Sequence, residues 1–258
     1  MIFCNLGSGS KGNSTYVQAN GRGILIDQGF SQKNLEERMR RAGLEPHSIA
    51  ALILTHEHTD HARGIGTTCR RYHIPVYITP NTFAALDPQI KLTSDQCCFF
   101  ESGQTLRIEN MAVKTFHTPH DAADPIGLRI SYADQSLAVL TDLGSVTETL
   151  LKLLGEVHLL FLESNHDMFM LLNGPYPLYL IQRIKSRVGH LSNDQSLDLL
   201  SRLSHQTALR HLVLGHLSES NNDPEIVRCQ FESARQRQDW SFQIEIASQS
   251  TPGPVIRL

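Results

Sequence analysis

Thr55-His56-Glu57-His58-Thr59-Asp60-His61 decides the reading of this chain. It directly follows a continuous apolar run over 49–54, which suits a strand buried on both faces. In an extended segment alternate residues point the same way, so His56, His58 and Asp60 can converge, whereas a helix would scatter them around its axis. His61 turns away as a helix begins near Ala62. Neutral imidazole and carboxylate suit zinc, manganese or iron. Two such ions need about six protein ligands and a shared bridge, of which this stretch supplies four.

Partners for the cluster stand at the ends of other predicted strands. Asp27 stops a strand over 23–26, and His120 and Asp121 follow one over 112–116, with His117 competing for the same role. Asp142 ends a strand over 137–141, and His216 follows one over 211–214. In open α/β architectures functional groups gather beyond the carboxyl ends of strands. Further strands are expected over 2–6, 15–17, 74–79, 105–108, 127–132 and 157–162, with a late one holding Ile244 and Ile246. Helices are expected after the cap Ser31, over 146–154, 177–188 and 224–237, and behind a capping box of Ser192 and Gln195. Strand runs open each half and strand–helix units follow. That order gives an α/β (α+β) class with two packed sheets and helices outside.

The order Asp27, His56-x-His58-x-Asp60-His61, His120, Asp142, His216 resembles the metallo-β-lactamase superfamily over nearly the whole chain. The resemblance implies an αββα sandwich, two mixed β-sheets flanked by helices, as a single domain over 1–258. It implies that His56, His58 and His120 bind one divalent ion, zinc or manganese, and that Asp60, His61 and His216 bind a second. Asp142 would bridge the two, and Asp27 would orient the histidine loop from outside. His120 is preferred to His117 because the strand beginning at Gly127 follows it at the family's spacing.

Three segments narrow the resemblance. Phe161-Leu162-Glu163-Ser164, Gly189-His190-Leu191-Ser192 and Leu214-Gly215-His216-Leu217-Ser218 are laid out as in nucleic-acid-cleaving members such as ribonuclease Z, where a glutamate and a histidine assist departure of the leaving oxygen. The whole pattern is most similar to the small YycJ/WalJ-like DNA exonucleases, a likeness carried by Gly7-Ser8-Gly9-Ser10-Lys11-Gly12-Asn13-Ser14, Glu163-Ser164-Asn165-His166-Asp167 and Gly189-His190-Leu191-Ser192-Asn193. The chain departs from ribonuclease Z in lacking a Gly/Pro-rich arm for tRNA. The implied activity is phosphodiester hydrolysis by a metal-bridging hydroxide, as a 5′–3′ DNA exonuclease. The alternatives are an RNA-processing nuclease or a small-molecule hydrolase (cyclic phosphodiesterase, thioesterase or lactonase). The candidate catalytic residues are Asp60, Glu163 and His190, with His190 protonating the leaving oxygen. Lys11, Ser192 and His166 are candidate substrate contacts. For His166 a surface histidine is the plainer reading, and for the Gly7–Ser14 loop a hairpin turn is equally open. His47, His73, His158, His205 and His211 have no motif context and are read as structural.

Composition sets the remaining bounds. A formal net charge of -3 over 258 residues excludes polyanion binding through overall field alone, though bound dications change that logic locally. Basic stretches over 38–41, 70–71 and 183–187 can form a groove for a strand or solvated helix faces. Five cysteines without a C-x-x-C pair fit free thiols. With no leader-like start and no apolar run of about 20 residues, the expectation is a cytoplasmic protein without a membrane partner.

Overall fold

A computed structural model describes residues 1–203 and 208–258; His205, read above as structural, lies outside the described residues. The strands β1 (Ile2–Gly7), β2 (Ser14–Ala19), β3 (Arg22–Ile26), β4 (Ile49–Ile53), β5 (Val76–Ile78) and β6 (Cys97–Phe99) lie in that order in one sheet. The strands β7 (Thr105–Ile108), β8 (Met111–His117), β9 (Ile126–Tyr132), β10 (Gln135–Leu140), β11 (Leu159–Glu163), β12 (His211–Gly215) and β13 (Gln243–Ile246) make the other. A last strand, β14 (Ile256–Arg257), returns to pair with β1. Both sheets follow one plan. Pairing is antiparallel from β1 to β3 and parallel from β3 to β6. It is antiparallel from β7 to β10 and parallel from β10 to β13.

The helices are α1 (Gln32–Arg41), α2 (Thr59–Ala62), α3 (Ile65–Tyr72), α4 (Pro80–Ala85), α5 (Glu148–Leu154), α6 (Met168–Asn173), α7 (Leu178–Ile184), α8 (Asn193–Leu203) and α9 (Pro224–Arg237). Alternation along the strands builds the layers. Ile24 and Ile26 of β3, Ala51 and Ile53 of β4, and Leu159 and Phe161 of β11 share the core between the sheets. Their neighbours Leu25 and Leu52 pack outward with Leu35 and Met39 of α1 and Ile65 of α3. Leu160 and Leu162 pack outward with Leu150 of α5, Leu199 and Leu200 of α8, and Phe231 of α9. The result is the αββα sandwich, and each fully buried Leu, Ile or Phe in it contributes about 1.5–3 kcal/mol. Among the described residues no helix is long and apolar enough to cross a membrane.

The helix expected near Ala62 is two helices, α2 and α3, broken at Gly64. A Cβ at Gly64 would lie 2.1 Å from the Phe30 carbonyl oxygen, so the chain passes too close for any side chain. The helix expected over 177–188 stops at Ile184, and the chain turns back to place His190. The capping box is present: Ser192 N–H donates to Gln195 Oε1 at 2.8 Å, and Gln195 N–H to Ser192 Oγ at 3.2 Å. The short elements β6, β14, α4 and α6 were not expected, because two to six residues carry no readable period.

Candidate metal centre

Three of the ligand-type residues sit at one kind of turn. Asp27 and His216 directly follow β3 and β12, Asp142 follows β10 with Thr141 between, and all three take left-handed backbone angles, with φ of 58, 55 and 56°. Asp and His enter this region more readily than most side chains, at a cost on the order of 1–3 kcal/mol each. Local bonds offset part of it: Asp27 N–H donates to the Ile53 carbonyl at 2.9 Å, and His216 N–H to Ser8 Oγ at 2.8 Å. Asp27 and Asp142 hold equivalent places, since β3 and β10 are the strands where each sheet passes from antiparallel to parallel pairing. The strand beside each carries the next group, His56 after β4 and Glu163 at the end of β11.

The histidine loop is extended only through His58. The helix α2 already starts at Thr59, with His61 and Ala62 N–H both donating to the His58 carbonyl, so Asp60 stands in its first turn rather than in the extended stretch. The side chains converge all the same. His56, His58 and His120 bring ligand atoms within 4.8 Å of one another, and so do Asp60, His61 and His216. His58 Nδ1 lies 3.3 Å from His120 Nε2. Asp60 Oδ2 lies 3.5 Å from His61 Nε2 and 3.6 Å from His216 Nε2. Asp142 stands between the trios, with Oδ1 3.7 Å from His120 Nε2 and 3.6 Å from His216 Nε2, and Oδ2 3.1 Å from His61 Nε2. His117, the competitor of His120, ends β8 exposed and outside both trios.

These residues fit two dications. Donors about 2.0–2.1 Å from zinc in a tetrahedron lie roughly 3.3–3.4 Å apart, close to the separations seen here. His56 Nε2 and His216 Nε2 are buried without a hydrogen bond, which in a protein interior calls for a partner. The opposite ring nitrogens are already engaged. His61 Nδ1 donates to Asp27 Oδ2 at 2.8 Å, His120 Nδ1 to the Gly189 carbonyl at 3.1 Å, and His216 Nδ1 to Glu163 Oε1 at 2.9 Å. His56 Nδ1 meets Thr55 Oγ1 at 3.0 Å, and that hydroxyl donates to Asp27, so one carboxylate sets two rings. Each bond orients its ring so that Nε2 is the nitrogen left to meet an ion.

Charge is balanced inside the cluster. Burial disfavours ionised Asp142, but His216, His61 and His56 outweigh it and hold the carboxyl well below its usual range. Burial likewise opposes charge on His216, yet Asp142, Asp60 and Glu163 push its pKa up to about 10. Glu163 is fully buried, which alone would raise its pKa, and the bonds and charge of His190 and His216 bring it down to about 2. Its Oε1 accepts from His190 Nδ1 at 2.7 Å as well as from His216, and its Oε2 from the N–H groups of Leu143 and Leu191 at 2.9 and 3.1 Å. Glu163 therefore acts through the two imidazoles and has no open lone pair facing solvent. His190 is partly exposed and, with His58, Asp60, Asp142, Tyr176 and Arg183, lines a cavity of about 210 Å³. Burial opposes its protonation, and Glu163 and Asp142 more than reverse that, so its pKa is raised.

The three candidate substrate contacts stand elsewhere. Lys11 points to solvent and pairs with Glu219 at 2.6 Å, while Ser10 reaches the cavity instead. Ser192 is buried and spends its hydroxyl on the α8 cap. His166 is only 1% exposed, so it is neither a surface histidine nor a wall of the cavity, and burial drives its pKa down to about 4. Two residues that do shape the site escaped the sequence reading. Asn13 Nδ2 lies 3.1 Å from Asp60 Oδ2 and 3.0 Å from His61 Nε2, and Ser8 Oγ joins Asn13 Oδ1 to the His216 backbone. The Gly7–Ser14 loop thus braces the histidine loop, and its Gly/Ser-rich composition was the available signal. Of the basic stretches, Arg38 donates to the Leu6 and Gln249 carbonyls, Arg41 pairs with Glu37 and Arg71 with Glu36. Only the stretch 183–187 borders the cavity.

Comparison with known proteins agrees with this geometry. The family model described as Beta-lactamase superfamily domain matches residues 22–216. Exodeoxyribonuclease YycJ of Bacillus anthracis is 35% identical over 228 residues, covering 88% of this chain and 86% of that protein. Exodeoxyribonuclease WalJ of Streptococcus pneumoniae is 34% identical over 225 residues, covering 86% and 83%. The crystal structure of Zn(2+)-bound PqqB from Methylobacterium extorquens superposes with a TM-score of 0.75 at 17% identity over the full length of both chains, a likeness of fold.

Proposed function

The chain belongs to the beta-lactamase superfamily and, within it, to the family of YycJ and WalJ, and from that premise we propose that it is a two-metal phosphodiesterase acting as a 5′–3′ DNA exonuclease. The fold and the His/Asp cluster make it a metal-binding hydrolase of that superfamily. In our reading the whole chain acts as one domain in the cytoplasm. His56, His58 and His120 would hold one zinc or manganese ion, Asp60, His61 and His216 would hold the other, and Asp142 stands between the trios to serve both. Such ions would supply charge to neutralise phosphoryl oxygens and would lower the pKa of a bound water from 15.7 to about 7.

The protein's own residues do the rest. Asp27 orients His61 and, through Thr55, His56 so that Nε2 is the nitrogen left to meet an ion. Asp60 faces the cavity from the first turn of α2, where it steers the attacking water. Glu163 is a positioning residue that orients His190 and His216. His190 donates its proton to the departing oxygen.

The observation that carries the reading is the place of His190. It belongs to neither trio, yet its ring centre lies 5.2 Å from that of His120 and 5.3 Å from that of His216, at the cavity wall. An imidazole held by Glu163 at the cavity wall, its pKa raised by Glu163 and Asp142, suits a poor leaving group such as a sugar hydroxyl. Incubation of the metal-loaded protein with end-labelled DNA and RNA tests this, alongside a thioester and a lactone. DNA should shorten progressively from its 5′ end, and a chelator should stop it. Turnover of the thioester or lactone without cleavage of either nucleic acid would overturn the reading.

A further inference from the structure

Between Glu163 and the cap of α8 the chain makes a small helical outwork. Leu171, Ile181 and Ile184 fold it around a minor core of their own, separate from the main layers. On the outer side, Phe169 and Leu172 share one face of α6 at a spacing of three, and Tyr179 stands with Arg183 on α7 at a spacing of four. These are among the most exposed large apolar residues described: Phe169 at 76%, Tyr179 at 73% and Leu178 at 69%. The same segment reaches the cavity, where Tyr176, Leu180 and Arg183 line the wall. The segment 168–193 holds no Asp or Glu and three cations, in a chain of net charge -3. Arg183 is tied to Asp121 at 2.6 Å, whereas Lys185 and Arg187 are exposed without a carboxylate partner among the described residues.

We propose that α6 and α7 form a stacking platform for the single strand that feeds the cavity, Phe169 and Tyr179 taking unpaired bases and Lys185 and Arg187 the phosphates between them. The inference rests on the nucleic-acid reading above. Exposed rings and unpaired cations on one segment that has no carboxylate of its own match what a single strand presents, flat π faces joined by negative charge. A purely apolar partner would not need the cations, and the segment that carries them also supplies Tyr176, Leu180 and Arg183 to the cavity wall, which favours a ligand that continues into the cavity.

The test is binding of a non-cleavable phosphorothioate thymidine oligonucleotide of about 12 nucleotides to the metal-loaded protein. Phe169→Leu and Tyr179→Leu remove the ring and keep apolar area. Each should weaken binding about tenfold, and Tyr179→Trp should restore it. Hydrolysis of bis-p-nitrophenyl phosphate, too small to reach the platform, should stay unchanged. Lys185→Ala with Arg187→Ala should flatten the slope of log K against log salt by about 1.4. DNA cleavage with unaltered binding in the leucine variants would overturn the platform and leave the nuclease reading standing. Failure of the parent protein to bind or cleave any nucleic acid would overturn both. Two further outcomes would reassign the face: attachment to phosphatidylglycerol vesicles that the leucine variants retain, to a membrane surface, or a dimer in solution that the alanine pair leaves intact and Phe169→Ala dissociates, to a second copy.

Discussion

Asp142→Asn is expected to lose at least one of two metal ions and to cut phosphodiester hydrolysis by about 10³-fold, the rate equivalent of the several kcal/mol that a metal supplies to a transition state. The reason is its place. Its Oδ1 is within 3.7 Å of nitrogens from both trios and its Oδ2 is 3.1 Å from His61. A carboxylate there offsets the repulsion of two like charges, and a carboxamide does not. Asparagine keeps the shape and accepts the left-handed backbone that position 142 requires, so the fold should survive. Elemental analysis and circular dichroism on the variant check both halves. Full metal content with near-normal turnover would show that the bridge lies elsewhere.

His190→Ala separates proton transfer from metal binding. It should retain both ions and bind DNA, yet cleave it about 10²–10⁴-fold more slowly. Glu163 keeps His216 and two backbone N–H groups after the change, so no buried charge is stranded. Bis-p-nitrophenyl phosphate, whose leaving group needs no proton, should lose far less. The pH profile follows from the raised pKa. The acid form is present below that pKa and is lost as pH rises through it, so this alkaline limb should appear with DNA, fade with the activated ester and vanish in the variant. Equal losses on both substrates, or loss of a metal, would return His190 to the metal shell or the scaffold.

What the sequence revealed was local or strand-terminal. The spacing of His56, His58 and His61 behind an apolar strand marked the cluster, and His120, Asp142 and His216, chosen because strand ends gather functional groups, converge with it. What it hid depends on tertiary approach. Asn13 and Ser8 matter because the β1–β2 loop folds onto α2, which no spacing encodes. His166 was misplaced because a polar residue three positions after a strand end reads as surface, whereas it is buried. The break at Gly64 came from a backbone passing too close for a side chain. The short helix α6 carried no periodic signal, so an exposed Phe169 stood out only once its neighbours were in place.

Metal content of the purified, reconstituted protein tests the central claim most directly. The two trios and their shared carboxylate predict close to two zinc or manganese ions per chain, released together with activity by a chelator and restored with it. A content near zero after reconstitution, with nuclease activity intact, would contradict the account.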